Sequence, residues 1–223
     1  MSEPDSRARP RIWLNCAISI DGRLAFARGV RARLSGPQDL VRVHRLRAES
    51  DAIVVGSGTV ILDDPSLTVH WEEIGRLVGR PPTRIVLDSS GSAPAGARVF
   101  DGSSPTLVAT VKSNNRTYPP HVERLIAGTD RVELPELWTL LYERGMRRIL
   151  VEGGARVIAS VVASRRFDRL TVYVAPVLIG QGTSPPMVAG PAAEGFEHLA
   201  RLRLLGVERL DDGYVASYEP RDP

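Results

Sequence analysis

Twice in this chain a short, mostly apolar strand pattern runs straight into glycine, and few folds accommodate that arrangement. The first case is Ala52-Ile-Val-Val55 followed by Gly56-Ser-Gly58 and Thr59; the second is Arg148-Ile-Leu-Val151 followed by Glu152-Gly-Gly154. A short apolar run bounded by turn signals reads as a strand buried on both faces, as in a parallel sheet covered by helices. Glycines at its end let a ligand approach the backbone with no Cβ in the way. In open α/β sheets that carboxyl edge is where ligands bind. A helix beginning there adds free N–H groups and a positive dipole end, which suit a pyrophosphate. Neither junction matches G-x-G-x-x-G, so the standard dinucleotide fingerprint is absent. The two together still point to a dinucleotide.

The rest of the chain fits the same class. Strands are predicted at Ile12–Ile20, Thr83–Leu87, Thr106–Val111 and Leu170–Ala175. Helices are predicted from Ser35-Gly-Pro37 onward, where Leu40, Val43, His44, Leu46 and Arg47 recur at helical spacing, and over 120–128, 135–145 and 155–163. Alternating strands and helices predict a mainly parallel sheet. Two last strands, 200–210 and 214–219, flank Asp211-Asp-Gly213, a turn signal that favours an antiparallel hairpin. Residues 1–11 are expected to form a disordered tail and 12–219 one domain. The length of 223 residues suits that.

Composition narrows the partners. Of 29 basic residues only Lys112 is lysine, the net charge is +3 and aromatics are 5%. No basic run with interleaved aromatics occurs, so nucleic acid is not an expected partner. The single cysteine, Cys16, sits in an apolar strand pattern and excludes an intrachain disulfide or a multi-cysteine zinc site. No apolar window approaches the length of a membrane span, and no signal core is present, so a cytoplasmic protein is expected.

Among residues that could carry chemistry, Asp64 precedes Pro65 and reads as turn chemistry. Asp63, four residues after Thr59, would share one side of a short helical turn with it, facing the glycines. Glu152, between a buried strand and a glycine pair, reads more naturally as a ligand contact than as a structural salt bridge. Arg47 reads either as a surface residue paired within its own helix or as a phosphate fork. His70 is a lone strand-end histidine, and His44, His121 and His198 show no metal-ligand spacing. No metal site is expected.

Taken in order, Ala17-Ile-Ser-Ile-Asp21-Gly-Arg-Leu-Ala25, Leu46-Arg-Ala48, the whole of 51–69, Arg84-Ile-Val-Leu-Asp88-Ser89, Leu150-Val-Glu-Gly-Gly154, Asp168-Arg-Leu and Val174-Ala-Pro-Val-Leu-Ile-Gly180 resemble the riboflavin-biosynthesis reductase family. The resemblance runs over roughly 12–219. It implies a dihydrofolate-reductase-like fold, with NADPH reducing the ribose of a ribosylaminopyrimidine 5′-phosphate to a ribityl chain. It implies NADPH contacts at Ala17, Gly56, Gly58, Thr59, Asp63, Ser89, Gly153, Gly154, Ala155, Arg156 and Val157. Substrate contacts are implied at Arg31, Arg33, Arg47, Leu67, His70 and Glu152, with Arg47 at the phosphate. Glu152, and after it Asp63, are the candidates for assisting proton movement. Bacterial bifunctional members often have arginine where this chain has His70, and serine and tryptophan where it has Arg31 and Arg33. The histidine form resembles stand-alone members, which favours the diaminopyrimidinone over the aminouracil substrate. With one cysteine the chain lacks the zinc deaminase signature of the bifunctional members. A homodimer through sheet-edge contacts is implied as well. The competing expectations are a dihydrofolate or pteridine reductase, a specialised-pathway reductase on the same fold, and a non-catalytic nucleotide-binding protein.

Overall fold

The computed structural model describes residues 9–26, 30, 32–76, 79–180, 182–191, 193–195 and 198–221. Of the expected tail, 1–8 lie outside these residues. Arg9 is held in place, donating to both carboxylate oxygens of Asp168 at 2.7 and 2.9 Å. In chain order the elements are β1 (Arg11–Ser19), α1 (Pro37–Ala48), β2 (Ala52–Gly56), α2 (Ser57–Asp63), β3 (Thr83–Leu87), β4 (Thr106–Thr110) and β5 (Val122–Ile126). They continue with α3 (Leu134–Glu143), β6 (Arg148–Val151), α4 (Ala155–Ala163), β7 (Arg169–Ala175), β8 (Leu202–Leu210) and β9 (Gly213–Pro220).

The nine strands among the described residues form one sheet in the order β5-β4-β3-β2-β6-β1-β7-β9-β8. Neighbours are parallel from β5 through β7, and β9 and β8 close the sheet as an antiparallel hairpin. The sheet-class prediction holds. Because β2 and β6 are buried at nearly every position, neither alternates. Ile12 and Leu14 of β1, Val54 of β2 and Val151 of β6 face α3 and α4, packing with Leu137, Trp138, Leu141, Ile158 and Val161. Ile53, Val55, Val86 and Val108 face the other way, against Val60 of α2 and the Phe100–Tyr118 aromatic pair. On that face α1 is joined to the sheet by Arg42, which donates to Asn15 Oδ1 at 2.8 Å and ion-pairs with the buried Asp39.

One predicted helix is a strand. Residues 120–128 contain β5, paired in parallel along β4. The spacing of Val122 and Leu125 reads as a single helical face, but in a strand an odd separation puts them on opposite faces. Both faces are covered here: Val122 packs with Phe100 and Tyr118, and Leu125 with the α3 side. The seven residues between Pro120 and Gly128 offer little to a helix, whereas the edge of β4 offers a full row of backbone partners.

The N-terminus of α1 has a distant cap. Its N-cap residue, Gly36, has no side chain to contribute. Asp211, in the β8–β9 turn, accepts instead from the N–H groups of Gln38 and Asp39 at 3.1 Å each. The hairpin is thereby locked to the first helix.

Candidate active site

The strand order decides where the predicted residues meet. β3, β2, β6 and β1 are consecutive and parallel, so their carboxyl ends share one edge. Ser89 follows β3, Gly56 ends β2, Glu152-Gly153-Gly154 follows β6, and Ala17 lies near the end of β1. These four ends span about 14 Å at the usual inter-strand spacing. The two glycine junctions, nearly a hundred residues apart in sequence, become neighbours. The Gly56 N–H donates to Gly153 O at 3.2 Å.

They also fit each other closely. A Cβ on Gly154 would lie 3.0 Å from Thr59 Oγ1, and one on Gly56 would lie 2.9 Å from a Val157 methyl. Gly153 has φ +107°, a conformation side chains rarely adopt. Gly58 faces open space, with nothing within 4 Å of where its Cβ would be. No side chain caps α4, so its first-turn N–H groups, those of Ala155, Arg156 and Val157, are available at this edge. Thr59 and Asp63 lie one turn apart on the short α2, as predicted, and Asp63 is half-buried. A dinucleotide fits this ground: glycine where close approach is needed, and an uncapped nine-residue helix for a pyrophosphate. Ser89 is half-buried, and its Oγ accepts from the Val132 N–H at 2.9 Å. Beneath it the buried Asp88 is pushed up by burial, but the N–H groups of Ala93 and Ser92 and the Tyr118 hydroxyl outweigh that and hold it low.

The substrate candidates lie beside this row. Arg47 donates from Nε and Nη2 to both oxygens of Glu152 at 2.6 and 2.7 Å, and from Nη1 to Thr68 O at 2.9 Å. The side chains are 15% and 11% exposed. Burial opposes the guanidinium charge, yet the adjacent Glu152 more than compensates and Arg47 is held charged. Glu152 is thus salt-bridged, the role expected to be less natural for it than ligand contact. With β6 inserted between β1 and β2, Glu152 comes within reach of Arg47, near the end of α1. Arg47 for its part is bonded across the sheet edge, not within its own helix.

Leu67 is buried at φ 52°, a left-handed conformation that costs a non-glycine residue about 1–2 kcal/mol. Its neighbours hold it there. Arg84, fully buried, donates to Ser66 O at 3.1 Å, Arg47 holds Thr68 O, and the Ser66 and Thr68 hydroxyls bond at 3.0 Å. His70 follows, exposed. Arg33 is exposed, and Arg31 lies outside the described residues. Asp64 has the turn role expected of it: it ends α2 in a left-handed conformation, and its Oδ1 accepts from Arg98 N–H at 2.7 Å.

Three participants were not foreseen. His44, read as bland, is buried and stacks on His70 with ring centroids 4.2 Å apart and planes at 21°. Glu73 accepts from His70 Nδ1 at 2.8 Å. The Thr68 carbonyl anchors Arg47. Spacing carried part of the signal, since His44 precedes Arg47 by one helical turn and Glu73 follows His70 by three residues. His44, His70 and Glu73 bring three potential ligand atoms within 4.8 Å of one another. The two rings are stacked in nearly parallel planes, and because a ring lone pair lies in its own plane, no nearby point lies along both, which does not suit shared coordination of one ion.

A profile of known sequences decides the family: residues 10–216 match the RibD C-terminal domain. The chain belongs to that family. A relative from Archaeoglobus fulgidus, named 2,5-diamino-6-ribosylamino-4(3H)-pyrimidinone 5′-phosphate reductase, is 35% identical over 218 residues, covering 94% of this chain and 97% of its own. A Thermotoga maritima structure, a diaminohydroxyphosphoribosylaminopyrimidine deaminase/5-amino-6-(5-phosphoribosylamino)uracil reductase, superposes with a TM-score of 0.82 at 27% identity. It is matched over 97% of this chain and 58% of that one, so this RibD-type domain corresponds to little more than half of the larger protein. Dihydrofolate reductase from Enterococcus faecalis shares the fold, with a TM-score of 0.51 at 11% identity over 95% of this chain and 97% of that one. The α/β, dihydrofolate-reductase-like fold expected from the sequence is the fold observed.

Proposed function

We propose that this chain reduces the ribosyl group of 2,5-diamino-6-ribosylamino-4(3H)-pyrimidinone 5′-phosphate to the ribityl group in riboflavin biosynthesis, with NADPH as reductant. Residues 12–219 act as one reductase domain. The observation that carries the reading is the row of carboxyl ends from Ser89 to Ala17, with the Arg47–Glu152 pair beside its middle. The name of the Archaeoglobus relative, matched along nearly its whole length, supports the diaminopyrimidinone as substrate.

Bound NADPH supplies a hydride to the sugar carbon. Thr59, Asp63, Ser89, Gly153, Gly154 and the first turn of α4 bind and orient it, with Ala17 against the nicotinamide. Glu152, bonded through both oxygens to Arg47, acts as an acceptor that holds a ribose hydroxyl as the sugar ring opens. His70, Arg33 and Arg31 take the phosphate together with Arg47, and the Leu67 backbone lines the approach. Orientation and charge are the protein's contribution.

The working unit is a cytoplasmic homodimer. A phosphorylated sugar and a dinucleotide carry too much charge to cross a bilayer unaided, so the enzyme sits where they are made. Among the described residues no helix is long and apolar enough to cross a membrane. Leu204, Leu205 and Val207 lie 54%, 42% and 59% exposed on the outermost strand, an edge that calls for a covering partner.

The test is a steady-state NADPH assay offering the diaminopyrimidinone and aminouracil ribosyl phosphates side by side, with dihydrofolate as the third candidate. Turnover is expected with the first at the higher kcat/KM. Turnover of dihydrofolate alone, or of none, contradicts the reading. Glu152→Gln is expected to lower kcat/KM about ten-fold or more. Retention of the full wild-type kcat and KM would remove Glu152 from the site.

A further inference from the structure

The His44–His70–Glu73 cluster has a hydrogen-bond pattern that fixes its protons. A backbone N–H can only donate, so His44 Nδ1, which receives the His70 N–H at 3.2 Å, carries no proton. The ring proton of His44 is therefore on Nε2, 3.7 Å from Glu73 Oε2. The other Glu73 oxygen, Oε1, accepts from His70 Nδ1 at 2.8 Å, which assigns that nitrogen its proton and leaves His70 Nε2 for a ligand. The His70 side chain is 55% exposed, so a ligand can reach it. One turn further along α1, Arg47 holds Thr68 O. Two side chains of a single helix thus pin both ends of the short segment 68–70.

We propose that His44 is a positioning residue for substrate binding: with Glu73 it fixes the place and tautomer of His70, so that His70 Nε2 meets the phosphoryl group of the substrate. This rests on the reading of His70 as a phosphate contact. The device requires a neutral His44, because a protonated ring would lose the Nδ1 acceptor and release the His70 amide. Burial, the Arg47 guanidinium and the His70 ring all oppose its protonation, against Glu73 and Glu152. Donation to a phosphoryl oxygen needs a proton at His70 Nε2 as well, and Glu73, accepting from Nδ1, is placed to balance that charge.

Steady-state kinetics on the whole enzyme test this with H44A, H44N, H70A and the H44A/H70A double variant. H44A is expected to raise KM for the ribosylaminopyrimidine phosphate about five- to ten-fold while leaving kcat and the NADPH KM unchanged. H44N, whose Oδ1 can accept the His70 N–H, restores that KM. The double variant is no worse than H70A, because His44 acts through His70. Equal rises in both KM values, or additive effects in the double variant, overturn the proposal. Wild-type KM in H44A beside an impaired H70A overturns the positioning role alone. Wild-type KM in H70A overturns the phosphate-contact reading and this proposal with it. Independently of turnover, two-bond 1H–15N correlation of the imidazoles is expected to show His44 protonated only at Nε2 and His70 at Nδ1. A proton on His44 Nδ1 overturns the proposal whatever the variants do.

Discussion

At Arg47 three hydrogen bonds converge on one guanidinium, and two of them run to the carboxylate oxygens of Glu152. Removing the cation leaves a carboxylate largely out of water with nothing opposite it. Arg47→Ala is expected to cost about 3 kcal/mol in urea unfolding. Arg47→Lys should restore little of that, since an ammonium cannot make two parallel bonds to a carboxylate while holding a carbonyl. A loss below about 1 kcal/mol would show the pair to be solvated. His44 governs an acid-side effect. Its folded pKa lies below the ordinary 6.5, so in the window between them the unfolded chain binds the extra proton. The stability it contributes is complete above 6.5 and is lost as pH falls through 6.5 toward the folded value. Unfolding free energies measured from about pH 8 down to about pH 5 should fall less steeply in H44N than in wild type. Equal slopes contradict this. Arg47 and Glu152 were legible as residue types at suggestive places, whereas their pairing was not. It depends on β6 entering between β1 and β2, which neither segment encodes locally.

Among the elements, α1 depends on a cap that local sequence does not supply. Gly36 offers no side chain, and Asp211, 175 residues away, accepts in its stead from two first-turn N–H groups. Asp211→Ala should cost about 1 kcal/mol, with a matching fall in Tm by calorimetry. Asp211→Asn should keep much of it, since asparagine both caps and tolerates the left-handed φ of 52° at this turn. An Ala variant as stable as wild type would mean that α1 does without the cap. The turn itself could be read from Asp211-Asp-Gly213, but its second duty could not, because capping across the fold leaves no local pattern. β5 shows the converse limit. Its Val122/Leu125 spacing is a real signal with two meanings, and only the open edge of β4 selects the strand. Runs with a single meaning, such as Ala52–Val55 and Ile149–Val151, were read correctly because full burial and terminal glycines admit little else.

For the molecule as a whole, the two strand–glycine junctions predicted the sheet class, while strand order determined which candidate residues meet at its carboxyl edge. The same order leaves β8 outermost with three exposed apolar side chains. If that edge is the dimer surface, Leu204→Lys with Val207→Lys should give a folded monomer by sedimentation velocity, where wild type sediments as a dimer. A wild-type monomer would remove the dimer from the picture. The most direct measurement of what the fold does is isotopic. Enzyme turning over the diaminopyrimidinone ribosyl phosphate with NADPH deuterated at both C4 positions should yield a ribityl product carrying a single deuterium at the former anomeric carbon, read by mass spectrometry and NMR. A product without deuterium, or no ribityl product at all, would contradict the assignment.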